Sequence, residues 1–213
     1  MTSQASSSAP LADSWSIPAN SFIFVRHGQT DWNARQLYQG QKDIPLNAAG
    51  QAQAALCGEA LRALVSVRSI CTSPLARARE TADIIARLNP AKIEMIDGLA
   101  ECGFGELEGL PKDDPDFDVR WRAGETSRQV EPYAAFCERV MLGLATALNR
   151  KGPVLIVAHR AVFWPLSNAL CGEVAEDLPN CRPVTLLPPT TPDLHWRMRM
   201  SAGCLHPPES RTT

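Results

Sequence analysis

Short apolar runs alternate with longer stretches of mixed polarity along most of this chain. Residues 22–25 and Val154–Ala158 are continuously apolar, a pattern typical of strands that are buried on both faces of a parallel sheet. Two shorter segments, residues 69–73 and 93–96, are predicted to be further strands. The chain therefore contains at least four candidate strands that are well separated in sequence.

Between the strands, apolar residues recur at the spacing of one helical face. One helix is predicted to follow Asn47, which is a suitable N-cap. Its predicted buried stripe is Ala52, Leu56, Ala60 and Leu64. A second helix is predicted to begin with Ser73 as its N-cap and Pro74 at its first position, so that Arg77 lies about one turn in. A third begins near residue 131, and its predicted stripe is Phe136, Val140, Leu144 and Leu148.

This order of strands and helices predicts an α/β fold with three layers, α/β/α, in which a mostly parallel doubly wound sheet has helices on both faces. Val184–Leu187 and residues 194–200 are predicted to form a terminal hairpin, because apolar and polar residues alternate in the second segment. Residues 99–109 form a loop punctuated by glycines. Residues 111–128 lack periodicity and are expected to be an irregular cap over the carboxyl edge of the sheet, with Phe117 and Trp121 buried against it rather than lining the entrance to a site.

A chain of 213 residues is expected to form one domain, at residues 21–204, between a flexible leader at 1–20 and a tail at 205–213. The net charge of -2 gives no reason to expect nucleic acid or a membrane surface as a partner. No apolar run approaches the roughly 18 residues that span a bilayer. Because the net charge is slightly negative, any site that binds anions must be a local cluster of cationic residues.

The seven cysteines are scattered, odd in number and not in a metal-ligand spacing. They are interpreted as reduced thiols of a cytoplasmic protein, with neither a disulfide nor a metal site. The apolar edge of the terminal hairpin would permit a homodimer without requiring one.

Chemically active side chains follow the predicted strands. Arg26 and His27 follow the first strand, Arg77 lies on the helix after the second, and His159 and Arg160 follow the strand at Val154–Ala158. Because the carboxyl ends of parallel strands meet at one edge of a sheet, these groups are expected to lie close together. Gly28 is expected to supply the backbone freedom for a sharp exit from the first strand.

Two guanidinium groups and an imidazolium would repel one another unless a dianion belongs among them. A phosphoryl group fits this charge and offers oxygens for bidentate arginine contacts. Fixed cations can supply most of the catalysis of phosphoryl transfer, so no metal or other cofactor is required. The nucleophile of such a site must be neutral, and its companion histidine is expected to be charged.

Four motifs then resemble the histidine phosphatase superfamily, the phosphoglycerate mutase-like proteins. The first motif begins at residues 26–30, which read Arg-His-Gly-Gln-Thr. It continues with the pairs Trp-Asn at 32–33, Gln-Gly at 39–40 and Pro-Leu at 45–46. The second motif, at residues 73–78, reads Ser-Pro-Leu-Ala-Arg-Ala. The loop at 99–109 resembles the segment that bears the acid of this family, and Val-Ala-His at 157–159 resembles its closing strand. The resemblance covers about residues 22 to 200 and implies the same α/β fold.

The resemblance implies a role for individual positions. His27 would become phosphorylated through one ring nitrogen while the other donates to backbone, and Glu101 would be the general acid. The phosphoryl group would be held by Arg26, Arg77 and His159, with a hydrogen bond from Asn33. The remaining implied substrate-binding residues are Thr30, Gln39 and Gly40. Glu106 and Glu108 are expected to be solvated charges.

The chain departs from the family pattern most clearly at Arg160, where a glycine is usual. Its side chain could add a cation for a second acidic group of the substrate, obstruct the site or point away. The favoured function is a metal-independent phosphomonoesterase acting on a small phosphorylated metabolite. One alternative is a mutase, although the segment between Glu101 and His159 is short for one. Another is a phosphate-binding regulatory module without catalysis.

Overall fold

The computed structural model describes residues 17–175, 178–191 and 195–200, and it contains a six-stranded sheet covered by helices. The strands are β1 (Phe22–Arg26), β2 (Ser69–Thr72), β3 (Lys92–Met95), β4 (Val154–Ala158), β5 (Val184–Leu187) and β6 (Arg197–Met200). The helices are α1 (Asp31–Ala34), α2 (Ala48–Leu64), α3 (Ala76–Ala86), α4 (Phe117–Arg122), α5 (Tyr133–Leu148) and α6 (Arg160–Cys171). The predicted tail and most of the predicted leader lie outside the described residues.

The strands are ordered β3-β2-β4-β1-β5-β6 across the sheet. The first four strands in this order are parallel to their neighbours, whereas β5 pairs with β1, and β6 with β5, in antiparallel fashion. This mostly parallel sheet confirms the predicted fold class. The predicted terminal hairpin is confirmed as β5 and β6. Leu194, the expected first residue of its second strand, lies outside the described residues.

Alternate side chains of the central strands enter two different cores. Phe22, Phe24 and Ile156 pack with residues of α5 and α6 on one face of the sheet. Ile23 and Leu155 pack with residues of α2 and α3 on the other face. Burying each of these large apolar side chains contributes about 1.5–3 kcal/mol, which explains why β1 and β4 show no polar alternation.

The predicted buried stripe of α2 is wrong. Leu56 and Leu64 are 37% and 64% exposed, and the face that packs inward instead carries small residues together with one leucine. The buried residues of α2 are Gly50, Ala54, Cys57, Gly58 and Leu61. A Cβ atom on Gly58 would lie 3.3 Å from the Cα atom of Ile85, so the small residues allow α2 and α3 to pack closely. Residue size rather than hydrophobicity selects this face.

The predicted N-cap of α3 is also wrong. Helix α3 begins at Ala76, two residues later than expected, and its cap residue Leu75 makes no side-chain hydrogen bond. The carboxylate of Asp43, from the loop before α2, instead accepts the backbone N–H of Ala76 at 2.5 Å. A carboxylate at this position complements the positive end of the helix, and Ser73 is left available for another partner.

The segment at 111–128 is not wholly irregular, because it contains the short helix α4. Trp121 of α4 is buried, and its indole N–H donates to the carbonyl of Glu131 at 2.7 Å. Phe117 is partly buried and packs edge-on against Tyr38 and Phe104, with ring centroids 5.3 and 6.0 Å away. Both aromatic side chains therefore pack between this segment and residues outside it, which agrees with the predicted burial. Hereafter "the cap" means residues 111–128.

The structure also bears on the chain's thiols and on membrane insertion. Six of the seven cysteines lie within the described residues, where none of them forms a disulfide, and Cys204 lies outside that part of the chain. None of the helices in the described part of the chain is long and apolar enough to cross a bilayer.

Candidate active site

The parallel register of β1 and β4 brings the two histidines together. Arg26 is paired with Ala158, and the backbone N–H of His27 donates to the carbonyl of Ala158 at 2.9 Å. The rings of His27 and His159 consequently lie side by side, with centroids 5.1 Å apart. On the other side of β4, the N–H of Ser73 donates to the carbonyl of Val157 at 3.0 Å. Three strand ends therefore converge at one edge of the sheet.

The hydrogen bonds of His27 define its tautomer. Its Nδ1 atom lies 2.7 Å from the carbonyl oxygen of Gly28, and a carbonyl can only accept, so Nδ1 carries the hydrogen. Burial lowers the pKa of His27 well below its usual 6.5, and the charges of Arg77 and Arg26 lower it further. The ring is therefore neutral with a lone pair on Nε2. The predicted donation from one ring nitrogen to backbone is confirmed.

His159 is fully buried, although the sequence predicted a charged ring at this position. Burial lowers its pKa well below 6.5, and Arg77 and His27 lower it further, so the ring is neutral. Its Nε2 lies 2.7 Å from the hydroxyl oxygen of Ser73, which already accepts the N–H of Leu75 at 3.2 Å. The Ser73 proton is thus available to Nε2, which favours hydrogen on Nδ1. Nδ1 is buried and has no hydrogen-bond partner among the described residues.

Arg77 is a buried cation held by backbone carbonyls. Its two terminal nitrogens donate to the carbonyls of Gly40 at 2.7 Å and Lys42 at 2.9 Å, and its Nε is buried without a hydrogen-bond partner in the described part of the chain. Burial lowers the pKa of Arg77 to about 10, so the guanidinium stays charged at neutral pH. Gly40 has φ +53°, and this left-handed turn presents its carbonyl to Arg77. Exposed Arg79 contacts Asp43 instead, as a surface charge.

The remaining residues of the first motif brace one another. The side-chain oxygen of Asn33 accepts the backbone N–H of Thr30 at 3.2 Å in a capping box at the start of α1. The hydroxyl of buried Thr30 donates to the side-chain oxygen of Gln39 at 2.9 Å. Because both side-chain oxygens are used as acceptors, the amide NH₂ groups of Asn33 and Gln39 are left as donors. Arg26 donates from one terminal nitrogen to the carbonyl of Leu178 at 2.9 Å.

Glu101 is held at the site by its backbone. The residue is only 8% exposed, and its Oε1 accepts the N–H of Cys102 at 3.0 Å. The Glu101 carbonyl accepts from Arg139 at 2.9 Å and from the Gln41 amide at 3.2 Å. Arg139 also donates to the carbonyls of Gly98 and Ala100. It therefore clamps both ends of the turn that leads into Glu101.

The expectation for Glu106 and Glu108 is half correct. Glu106 is exposed, as predicted, but Glu108 is partly buried and accepts the backbone N–H groups of Gln41 at 2.9 Å and Phe104 at 3.2 Å. Glu108 therefore joins the loop after α1 to the loop of Glu101. The Glu108 carboxylate also lies directly against Gly40, where a Cβ atom would be only 2.0 Å from a carboxylate oxygen.

A small cavity lies where these elements meet. It is lined by Arg26, His27, Asn33, Gln39, Gly40, Phe104, Lys112, Ala161, Trp164, Arg77, Glu101 and Arg160. Eight of the ten predicted site residues are in this lining. The two others, His159 and Thr30, lie behind it and contact the lining residues His27 and Gln39. The sequence thus predicted most of the lining but missed four residues, which are Phe104, Lys112, Ala161 and Trp164.

Lys112 reaches the cavity through backbone pairing that is remote in sequence. Pro111 forms a β-bridge with Leu37, and the N–H of Lys112 donates to the carbonyl of Gln36 at 2.9 Å. Desolvation and then repulsion from Arg160 lower the pKa of Lys112 to about 8, although the residue as a whole is exposed. No local pattern signals this pairing. Trp164 was more accessible to prediction, since it lies four residues after Arg160 on the same helical face.

Arg160 lines the cavity from the first turn of α6. It donates to the Asp118 carboxylate of α4 at 2.9 Å, and its guanidinium lies 5.0 Å from the ring centroid of Trp164. Arg122 of α4 lies over the same ring at 4.9 Å. The Arg160 side chain therefore does not point away from the site. It lies in the cavity lining, where its contacts with Asp118 and Trp164 hold it.

The cavity is strongly cationic. Arg26, Arg77, Lys112 and Arg160 line it, whereas Glu101 is the single acidic residue among the described residues of its lining. Within the described ranges, no group of three or more His, Cys, Asp or Glu side chains is arranged to hold a metal ion. The arrangement suits an anion with several oxygens, contacted by guanidinium, imidazole and amide donors beside a neutral histidine nitrogen.

Comparison with known proteins agrees with this geometry. The family model of the histidine phosphatase superfamily (branch 1) matches residues 22–185, which include the whole cavity lining. The chain belongs to this superfamily. Its candidate site, at the carboxyl ends of β1, β2 and β4, lies entirely within the matched residues.

Relatives of this chain carry the names of two activities, phosphatase and phosphoglycerate mutase. The uncharacterized phosphatase PhoE of Bacillus subtilis (strain 168) is 38% identical over 151 residues, covering 70% of this chain and 76% of PhoE. The probable phosphoglycerate mutase GpmB of Salmonella choleraesuis (strain SC-B67) is 45% identical over 158 residues, covering 70% and 73%. The crystal structure of TTHB049 from Thermus thermophilus is 30% identical with a TM-score of 0.67, covering 85% of this chain and 99% of that one. The chain is therefore an enzyme of a superfamily whose members are named as phosphatases and as phosphoglycerate mutases.

Proposed function

We propose that this protein is a metal-independent phosphomonoester hydrolase that acts on a small phosphorylated metabolite through a phosphohistidine on His27. The observation that carries the proposal is the tautomer of His27. Its Nδ1 hydrogen is engaged by the carbonyl of Gly28, which leaves the Nε2 lone pair on a neutral ring in a cationic cavity. A nucleophile that must attack a dianion needs this state, and the surrounding cations offset the charge of its target.

In the first half-reaction, Nε2 of His27 forms a bond to phosphorus as the ester P–O bond breaks. Glu101 donates its proton to the departing alkoxide, so an alcohol leaves and the phosphoryl group stays on His27. In the second, Glu101 takes a proton from water as the oxygen attacks phosphorus, and the P–N bond breaks to release inorganic phosphate. Arg26, Arg77 and the Nδ1 hydrogen of His159 stabilise the equatorial oxygens in both steps.

The deciding experiment is hydrolysis of 4-nitrophenyl phosphate in the presence of excess EDTA by the wild-type chain, His27→Ala and His195→Ala. His195 is exposed and does not line the cavity, so it controls for loss of a histidine as such. We expect wild-type and His195→Ala turnover that resists EDTA and a loss of at least about 10³-fold in His27→Ala. Turnover that EDTA abolishes, or that survives in His27→Ala, contradicts the proposal.

Mutase-type transfer is the second candidate, and the excess of cationic over acidic side chains in the cavity lining favours it. A phosphohistidine whose phosphoryl group returned to a second hydroxyl of the retained substrate would isomerise it instead of hydrolysing it. The GpmB relative carries the name of such an activity. Incubation with 3-phosphoglycerate separates the two functions: the hydrolase releases inorganic phosphate, whereas a mutase produces 2-phosphoglycerate. A protein that binds phosphate without turning over any ester would instead be a binding module.

A further inference from the structure

The cavity holds more positive charge than one phosphoryl group requires. Arg26 and Arg77 flank His27 and lower its pKa, which places them beside the candidate phosphoryl position. Arg160 and Lys112 form a second pair in the same lining, and the charge of Arg160 lowers the pKa of Lys112. Like charges are gathered in this way at a cost that an anionic ligand removes.

Arg160 already has a counterion, and that counterion belongs to the cap. The ion pair with Asp118 uses one of the five guanidinium N–H donors, and the Arg160 and Asp118 side chains are 33% and 27% exposed. The guanidinium of Arg160 also lies over the ring of Trp164, 5.0 Å from the ring centroid. The side chain is thus held in position while most of its donors stay available to a ligand.

The size of the cavity limits how a second group could reach Arg160. The cavity encloses about 30 Å³, and one water molecule needs roughly 10–15 Å³. This is room for a compact group beside His27 and for little else. A second group of the same substrate must therefore lie outside this volume, and Arg160 could hold it where the Asp118 carboxylate is now bound.

We propose that Arg160 and Lys112 form a second anion subsite, and that a carboxylate or phosphate of the substrate replaces Asp118 on Arg160. The proposal rests on the proposed function and narrows its substrate class to small molecules that carry a second acidic group near the scissile phosphoryl group. Asp118 is then a resident counterion that keeps Arg160 in place until the second acidic group of a substrate displaces it. Simple monoesters leave the Arg160–Asp118 pair intact and gain nothing from it.

The test compares kcat/KM for phenyl phosphate with that for three probes: 3-carboxyphenyl phosphate, 4-carboxyphenyl phosphate and 1,4-phenylene bisphosphate. The two carboxylated isomers vary the reach of the second anion, and the bisphosphate tests phosphate against carboxylate. Ratios of each probe to phenyl phosphate are measured in each variant of the full chain, so that differences in leaving group cancel. A thermal unfolding scan accompanies every variant.

We expect Arg160→Gly to lower the ratio for the preferred probe by about tenfold, the scale of one charge-assisted hydrogen bond, and Lys112→Met to lower it by about threefold. Asp118→Asn removes the competing charge and should raise the ratio by about threefold. Arg122→Gly is the matched control, because Arg122 stacks on the same Trp164 ring but does not line the cavity. Its ratios should match those of the wild-type chain.

Equal losses for phenyl phosphate and all three probes in Arg160→Gly would overturn the proposal, as would a lowered ratio in Asp118→Asn. Arg160→Lys, which keeps the charge and loses the fork, replaces Arg160→Gly if the latter does not fold, and its ratio should fall as well. The failure of the proposed function has a different signature. In that case the wild-type chain hydrolyses neither phenyl phosphate nor any probe, or His27→Ala hydrolyses them as well as the wild-type chain does.

Discussion

The hydroxyl oxygen of Ser73 lies 2.7 Å from Nε2 of His159, and both side chains are completely buried. This contact joins the ends of β2 and β4 and decides which nitrogen of His159 carries the hydrogen. The sequence pattern placed Ser73 at the start of a helix, so the contact changes its role from a helix cap to a residue that positions His159.

Replacing Ser73 by alanine should impair catalysis through His159. We expect Ser73→Ala to lower kcat for 4-nitrophenyl phosphate roughly tenfold and to cost about 1–3 kcal/mol in free energy of unfolding, because Nε2 loses its buried partner. Ser167→Ala is the control, since Ser167 is equally buried and its hydroxyl accepts the N–H of Ala175 at 3.0 Å. Steady-state kinetics and urea denaturation measure the two effects. Equal kcat losses in both variants would show that the contact has no specific role.

The two buried histidines predict a pH-dependent stability. Each has a pKa well below 6.5 in the folded state, whereas the unfolded chain binds a proton near that pH. The free energy of unfolding should therefore be fully retained above about pH 6.5 and fall as the pH drops below it, by up to about 1.4 kcal/mol per pH unit for each histidine. Urea denaturation at several pH values between about 7.5 and 5 measures the slope.

The double variant His27→Gln, His159→Gln tests whether these two rings cause the slope. Its free energy of unfolding should depend less on pH over the same interval, whatever its absolute value. A slope that is unchanged in the double variant would assign the loss of stability to other groups.

Arg139 should act on catalysis through the loop of Glu101. It donates to the carbonyl groups of Gly98, Ala100 and Glu101 and forms a two-point ion pair with Glu131. Arg139→Lys keeps the charge but loses the fork, so Glu101 should be less well placed to protonate a leaving group. We expect kcat to fall about tenfold or more for an alkyl phosphate, which needs that proton, and much less for 4-nitrophenyl phosphate, whose leaving group is stable as an anion.

The control for Arg139 is Arg150→Lys. Arg150 forms a comparable two-point ion pair with Glu94, at the edge of the sheet on β3 and away from the cavity lining. Both variants should lose some stability, but only Arg139→Lys should change the ratio of alkyl to aryl phosphate hydrolysis. An equal decline for both substrates would mean that Arg139 is merely structural.

The predictability of the site differed among its residues for physical reasons. Arg26, His27 and His159 follow continuous apolar strands, and the rule that parallel strand ends share an edge was sufficient to bring them together. Lys112 and Asp118 could not be placed in this way. Their positions depend on the pairing of Pro111 with Leu37 and on the packing of α4, which no local periodicity encodes.

Gly28 shows how a correct residue can be predicted for an incomplete reason. The sequence predicted that it supplies freedom in φ, but its backbone is not among the left-handed glycines. A Cβ atom at this position would lie 2.4 Å from the carbonyl oxygen of Gly50 in α2. The glycine is required because two segments approach closely. Such an approach depends on tertiary packing and leaves no trace in the local pattern beyond the glycine itself.

The division of the cavity between two kinds of segment has an evolutionary consequence. His27, Arg77 and His159 stand at the sheet edge, whereas Lys112 and Asp118 belong to one continuous stretch of the cap. A gene encoding such a chain can exchange or diversify that one stretch without disturbing the residues that would perform the chemistry. The part of the substrate preference that depends on Lys112 and Asp118 can then be inherited as one segment, whereas Arg160 lies on α6. A library confined to residues 111–128 would vary that part while the residues at the sheet edge stay the same.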